Sequence, residues 1–526
     1  MAVSQSYDYI LVGSGPSSLA AIRKLPDKSK ILVIDRGAET PHEIKKAQEE
    51  FRKSAHLFEN RFTKNSWNDS SSSSTLDSKT YWGSEYSYKI SKNNSPFESQ
   101  SQGGFTTVWG ATCFPANKEI INKLNKDIRI EYDLEVSELE QMIDVAWSHE
   151  SSDCYSPCSS NNLLLADRNS FKPKLGSSGF VFNSKGKLFW EQTRLALSVS
   201  TQIKAIGQRL GCINCGLCQV GCPLGLTWNS WYNFKEELFK KDASYIKAEV
   251  IRVKDTGDKV VVTYLDKDIE INVTCNRLLL TGGSLSTINL LINSEIVDSD
   301  VIHDSQTVAI LGISLTGRQV QSKFDNVTFP EMSFLYRNQV NEVAIQIYSL
   351  NKYIANRISP VVSRIAFMSK AINFLMRRFL FIGLVYFDKE VSGNLLINKT
   401  GFRTHKGDLR QIRRLFKEVR LIFRECSLYI LPTSKYFRVG GGYHFMGNYF
   451  PSEIWSEEKY LSDHGFKKLT NLSSFSTKSR IHLVDGSIQG FLPTGSVTLN
   501  SMAMTSILVK RIVAREIERE KQQDID

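Results

Sequence analysis

Tyr7-Asp-Tyr-Ile-Leu-Val-Gly-Ser-Gly-Pro-Ser-Ser18 decides the fold class. Its first six residues form a short, largely apolar run, the pattern of a buried strand. Gly13-Ser-Gly-Pro-Ser-Ser18 follows as G-x-G-x-x-S, and 19–25 has helical character. In a dinucleotide-binding unit the first glycine (Gly13) allows a tight turn and the second (Gly15) lets a pyrophosphate approach the backbone. The third position, where the helix packs on the strand, is here Ser18, a small residue but a departure from glycine. A second strand, 31–34, ends at Asp35, whose carboxylate can accept hydrogen bonds from a ribose diol. Arg36 is either a partner for a 2′-phosphate or a solvated arginine. Strand, glycines, helix, strand and acid in that order predict an α/β fold with a nucleotide-binding sheet.

The chain has 526 residues, 41% hydrophobic and 23% charged, an ordinary balance for a folded protein of several domains. The formal net charge of +11 makes a phosphate-bearing substrate or an anionic surface a plausible partner. Nucleic acid is not expected, because no recognition module accompanies the charge. No basic n-region with an apolar stretch opens the chain, and no apolar run reaches a membrane span, so the expected address is cytoplasmic.

Further along, Ser101-Gln-Gly-Gly-Phe-Thr-Thr-Val-Trp-Gly110 pairs glycines with hydroxyls and an aromatic residue. Such a loop can lie flat against a ring, with Gly104, Thr107, Trp109 and Gly110 as candidates for that contact, or be a glycine turn beside a core tryptophan. Charged helices are expected in 116–200, including one over 135–149, and another helix over 226–240. Strands at 245–253, 259–264 and 269–273 read as a meander. The apolar strand 277–281 then enters Gly282-Gly-Ser-Leu-Ser-Thr287 and a helix, a second strand–glycine–helix junction that returns the chain to the first sheet. Near the end, Gly440-Gly-Gly-Tyr-His444-Phe-Met-Gly447 sets a histidine among glycines. A strand at 481–484 reaches Asp485-Gly486, and a helix over 500–513 precedes a charged tail expected to fray.

Nine cysteines are present, and Cys212, Cys215, Cys218 and Cys222 fall in C-x2-C-x2-C-x3-C-P. This is the run by which bacterial ferredoxins hold an iron–sulfur cluster. With no second run, Cys222 is either the fourth ligand of a 4Fe–4S centre or a bystander to a 3Fe–4S one. A structural zinc knuckle and unligated thiols are the bland alternatives. Cys154 and Cys158 lack companion ligands and read as plain thiols. The stretch 352–378 carries Lys352, Arg357, Arg364, Lys370, Arg377 and Arg378, no acid, and interleaved apolar residues. It reads as a peripheral contact with the inner face of a membrane or as a helix with one solvated basic face.

The order of these blocks resembles the glucose–methanol–choline family of flavin oxidoreductases. The fingerprint at Gly13–Ser18 with Asp35, the loop 103–110, the junction 282–291 and the strand ending in Asp485-Gly486 match its FAD-domain blocks in sequence order. Val250-Ile-Arg-Val253 is similar to the strand whose valine backbone meets the adenine. The resemblance implies an FAD/NAD(P)-binding Rossmann-like domain assembled from discontinuous segments (1–115, 241–310 and 440–526). An α+β substrate domain with a mainly antiparallel sheet (116–240, with the iron–sulfur loop, and 311–439) completes it. The resemblance also implies FAD as cofactor, Gly282 and Gly486 beside it, and His444, in H-x-x-G, as the base that takes a hydroxyl proton. The family's second catalytic position, His or Asn, falls on Ser496, with Asn500 nearby as a substitute.

The expected activity is therefore FAD-dependent dehydrogenation of an alcohol group on a sugar or glycan-like substrate, small-molecule or glycan, with electrons leaving through the cluster to a quinone, ferredoxin or cytochrome. The rivals are an alcohol oxidase without a cluster and a non-catalytic flavin and iron–sulfur carrier.

Overall fold

The computed structural model describes residues 5–37, 96, 99–107, 109–116, 121–122, 124–143, 145–147, 178–196, 227–315, 330, 332–339, 341–349, 379–389, 391–437, 439–440, 444–447, 449–450, 467–468, 480–488 and 497–523. The cysteine run, Cys154, Cys158, Ser496 and the basic stretch 352–378 lie outside the described residues.

The strand Ser6–Val12 lies inside a seven-stranded sheet. Ile31–Asp35 flanks it on one side with Ser244–Lys247 beyond, and Ile269–Leu280 flanks it on the other; these pairings are parallel. Ile481–Leu483 joins Ile269–Leu280, also in parallel. Ile10, Leu11, Val33 and Leu279 are fully buried, as the near-continuous apolar composition of parallel strands requires. The helix Pro16–Ile22 starts directly from the glycine turn with proline in its first turn, where a missing N–H costs nothing.

Four sequence expectations change here. The run 245–253 is two strands, because Ala248 N–H donates to Asp35 O at 2.8 Å and the chain then leaves the parallel sheet as Glu249–Asp255. Conversely, 269–273 and 277–281 are one strand, Ile269–Leu280. Its outer half pairs antiparallel with Val260–Asp266 and its inner half parallel with Ser6–Val12. Polar Asn276-Arg277 does not break it, because Arg277 pairs with Glu516 at 2.6 Å.

The expected helix 135–149 is Lys126–Ile143, followed by the short strand Val145–Trp147. Its buried Ile128, Tyr132, Val136, Leu139 and Ile143 recur at helical spacing. The tail expected to fray is helical instead, within Thr498–Gln523. On it, Arg511 reaches Asp127 (2.6 Å) and Glu131 (2.7 Å), and Lys510 pairs with buried Glu135. The charges of both segments were paired with each other, which neither segment shows alone.

A second seven-stranded sheet is antiparallel throughout its order Leu428–Tyr436, Thr307–Ser314, Leu380–Phe387, Glu342–Ser349, Met332–Arg337, Gly186–Gln192 and Ser178–Asn183. The helix Leu409–Glu425, capped by Asp408 on the Arg410 and Gln411 amides, packs Leu415, Phe416 and Phe423 on one face. Val308, Val385 and Ile345, aligned across three strands, make that face. The alternate rows, Thr307–Tyr386–Ala344 and Ala309–Leu384–Gln346, belong to the opposite face. Ser299–Asp304, Asn394–Asn398, Gly401–His405 and Phe445–Met446 form a smaller antiparallel sheet. Mixed α/β architecture with several sheets therefore stands as expected. No helix among the described residues is long and apolar enough to cross a membrane.

Candidate functional site

One cavity of about 380 Å³ runs from the first glycine turn to the second sheet. At its origin Gly13 has φ +110°, and a Cβ there would stand 3.0 Å from Gly282 Cα. The two glycine junctions are thus packed back to back, a closeness only glycine permits. A Cβ at Gly15 or Gly283 would meet nothing within 4 Å, so the backbone at both positions borders open space. Gly104 packs over Gly15, its added Cβ 3.5 Å from Gly15 Cα.

Asp35 sits at this end, as its place after the second strand predicts. Its carboxylate accepts from Ser14 Oγ (2.5 Å) and Tyr245 Oη (3.1 Å), and burial pushes its pKa up. Ser14 in turn accepts from the Gly103 amide at 3.2 Å, which ties the 103–107 loop to the fingerprint. Arg36 pairs with Glu249 at 2.8 Å and lines the cavity beside Asp35. Ala248 and Val250 line the same end.

Trp109, Gly110, Gly282 and Gly486 line the middle. The Trp109 indole donates to the Trp228 carbonyl at 2.9 Å, which fixes the ring plane. Three expected contact residues act from behind the wall. Ser18 donates to Thr281 Oγ1 at 2.7 Å, and Thr107 donates to the Gly104 carbonyl at 2.9 Å. Asp485, buried, accepts from Gly283 N, Thr287 Oγ1, Ser487 N and Ser487 Oγ, so it holds the second glycine junction against the 486–488 turn. Burial lifts its pKa, opposed by these four donors.

His444 lines the far end. The adjoining strand Phe445–Met446 pairs with Ser299–Asp304, and Ser305 N donates to the His444 carbonyl at 3.1 Å. The imidazole stacks on Tyr386, with centroids 5.2 Å apart and 28° between the planes. Part of the ring surface stays open to the cavity, yet burial pushes its pKa down to about 4. Nδ1 is buried without a hydrogen-bond partner among the described residues, which leaves Nε2 as the nitrogen able to exchange a proton with a ligand.

Asn500 is elsewhere: it accepts from Tyr132 Oη and donates to the Phe114 carbonyl at 3.3 Å, so it packs the C-terminal helix. It is not among the residues that line the cavity. Val497, Thr498 and Ser501, from the start of that helix, do line the cavity. Among the described residues no group of three or more His, Cys, Asp or Glu is placed to hold a metal ion.

Sequence reasoning missed the wall given by the second sheet: Thr307, Ala309, Gln346, Tyr348, Leu384 and Tyr386. The signal was present as period-two alternation along 342–349, beside the continuous apolar run 380–387. Nothing in the sequence says which of the two faces meets the first sheet.

No family model matches the chain, and no curated protein matches it in sequence. Among solved structures, the fold is similar to that of pyridoxine 4-oxidase from Mesorbium loti, with a TM-score of 0.56 at 14% sequence identity. The alignment covers 96% of this chain and 98% of that one, so the likeness is one of fold over nearly the whole length of both.

Proposed function

We propose that the chain is an FAD-dependent oxidoreductase that oxidises a CH–OH group. The observation that carries this reading is the single cavity joining the glycine junctions and Asp35 to the neutral, half-open imidazole of His444. The fold likeness to a protein named as an oxidase of an alcohol, pyridoxine, and the order of the sequence blocks support it.

The residues fit a flavin dinucleotide. Gly15 and Gly283 leave the open cradle that a Cβ would fill, Asp35 offers a carboxylate, and Ala248 and Val250 border the same end. When bound, the flavin supplies a two-electron acceptor for hydride. His444, neutral at neutral pH, takes the hydroxyl proton on Nε2 as the carbon is oxidised. Tyr386 holds the imidazole plane, and the wall of the second sheet excludes water.

The cysteine spacing supports one addition, an iron–sulfur cluster on Cys212, Cys215, Cys218 and Cys222 that passes electrons to an external acceptor. The alternative is an oxidase without a cluster, which the neighbour's name favours. Anaerobic purification followed by flavin, iron and acid-labile sulfide assays separates the two, with oxygen uptake on alcohol addition as the second readout. Absence of flavin from protein refolded with excess FAD would overturn the whole reading. The basic stretch 352–378 is proposed to touch an anionic membrane surface. Its six cations without an acid support this, and charge reversal at Arg364, Lys370, Arg377 and Arg378 is expected to abolish co-sedimentation with anionic vesicles.

A further inference from the structure

At the His444 end of the cavity, Gln346 is held between two tyrosines. Tyr348 Oη donates to Gln346 Oε1 at 2.8 Å and Tyr386 Oη to the same oxygen at 3.4 Å. All three side chains are buried and all line the cavity. With its oxygen engaged twice, the carboxamide is fixed in orientation, and its two N–H groups are the donors left for a ligand. The surroundings are mostly apolar or aromatic: Ala309, Leu384 and Phe437 complete this end, with Thr307, whose hydroxyl donates to the Ser305 carbonyl at 3.1 Å. Among the described lining residues, the charged ones are Asp35 and Arg36, both at the opposite end. Lys435, across from Ala309 in register and so on the same face of the sheet, is exposed and is not among the lining residues, with its ammonium 5.7 Å from the Phe437 ring centre.

We infer that Gln346 is the specificity-determining anchor of this site and that the substrate is an uncharged cyclic alcohol bearing a second group that accepts a hydrogen bond. This rests on the oxidoreductase reading above. An anionic substrate loses its hydration here and gains no counter-charge from the described lining residues of this end, a penalty that protein interiors do not tolerate unpaired. A flat or cyclic skeleton matches the faces of Tyr348, Tyr386 and Phe437.

The test is calorimetric titration of the purified, flavin-assayed protein with 4-methoxybenzyl alcohol, benzyl alcohol and 4-(hydroxymethyl)benzoate. The methoxy compound is expected to bind about tenfold tighter than benzyl alcohol, the size of one neutral hydrogen bond. The carboxylate is expected to bind roughly a hundredfold more weakly than the methoxy compound. Gln346→Leu should erase the methoxy preference, and Tyr348→Phe, which frees the carboxamide while keeping the ring, should reduce it severalfold. Equal or tighter binding of the carboxylate, no binding of any of the three, or an intact preference in a folded Gln346→Leu or Tyr348→Phe protein overturns the inference. If flavin is present and the carboxylate wins, the oxidoreductase reading stands and only the anchor falls. If flavin is absent, that reading falls while the titration still reports on the pocket.

Discussion

Ser18 donates its hydroxyl to Thr281 Oγ1 at 2.7 Å, and Thr281 in turn donates to the Val12 carbonyl at 2.8 Å. The residue that departs from the usual third glycine therefore links the two strand–glycine–helix junctions. Ser18→Ala should cost about 1 kcal/mol, one neutral hydrogen bond between buried groups. Ser18→Val should cost about 1–3 kcal/mol more, because the position is fully buried and cannot accept two methyls. Urea denaturation of the three proteins checks the order; a valine variant as stable as wild type would remove the packing argument.

Local chemistry is why the first junction was legible. Gly13 makes the tight turn and Asp35 ends the second strand where their spacing predicts, because a turn and its flanking strands are decided within about thirty residues. The Gly282 junction was legible for the same reason. What could not be read was set by partners distant in sequence. The tail beyond 513 is helical because Glu516 pairs with Arg277, and Asn500 is lost to the site because Tyr132 claims it. The wall around Gln346 needed the register of three strands, and period-two alternation fixes two faces without saying which one is covered.

Asp485 offers a second test of the link between the junctions. Its carboxylate accepts from Gly283 N at 2.8 Å, Thr287 Oγ1 at 2.5 Å, Ser487 N at 2.9 Å and Ser487 Oγ at 2.6 Å. An asparagine keeps one acceptor oxygen and turns an NH2 toward two of these donors. Asp485→Asn is therefore expected to lose roughly 2–4 kcal/mol through buried groups left unpaired. Flavin content should fall with it, because Gly283 and Gly486 border the cavity. A variant with wild-type unfolding midpoint would show that the donors find other partners.

Gly15 and Gly283 separate folding from cofactor binding. Gly15 has φ −73° and ψ −173°, extended backbone that any residue adopts, and its added Cβ touches nothing within 4 Å. Gly15→Ala should then change stability by no more than about 0.5 kcal/mol, yet place a methyl in the cradle and lower flavin content severalfold. Gly283, with φ +87°, differs. Alanine there carries backbone strain of about 1–3 kcal/mol, so Gly283→Ala should lose stability and flavin together. Differential scanning calorimetry with released-flavin absorbance reads both quantities. Full flavin occupancy in Gly15→Ala would mean that the dinucleotide does not lie over this turn.

His444 makes a stability prediction that does not depend on knowing the substrate. Burial holds its pKa near about 4, against an ordinary value of 6.5. Between those two pH values the unfolded chain binds a proton at this residue and the folded one does not. Stability from this group is therefore fully present above 6.5 and is lost as pH falls through about 4. The shift corresponds to roughly 3 kcal/mol at most. Wild-type protein should thus lose more stability between pH 7.5 and pH 4 than His444→Gln does, by about that amount. The rate should follow the same group: with a base titrating near 4, kcat/KM stays level down to about pH 5 instead of falling at the usual histidine value. An acid limb near 6.5 in kcat/KM, or identical pH–stability curves for the two proteins, would place the titrating base elsewhere in the cavity.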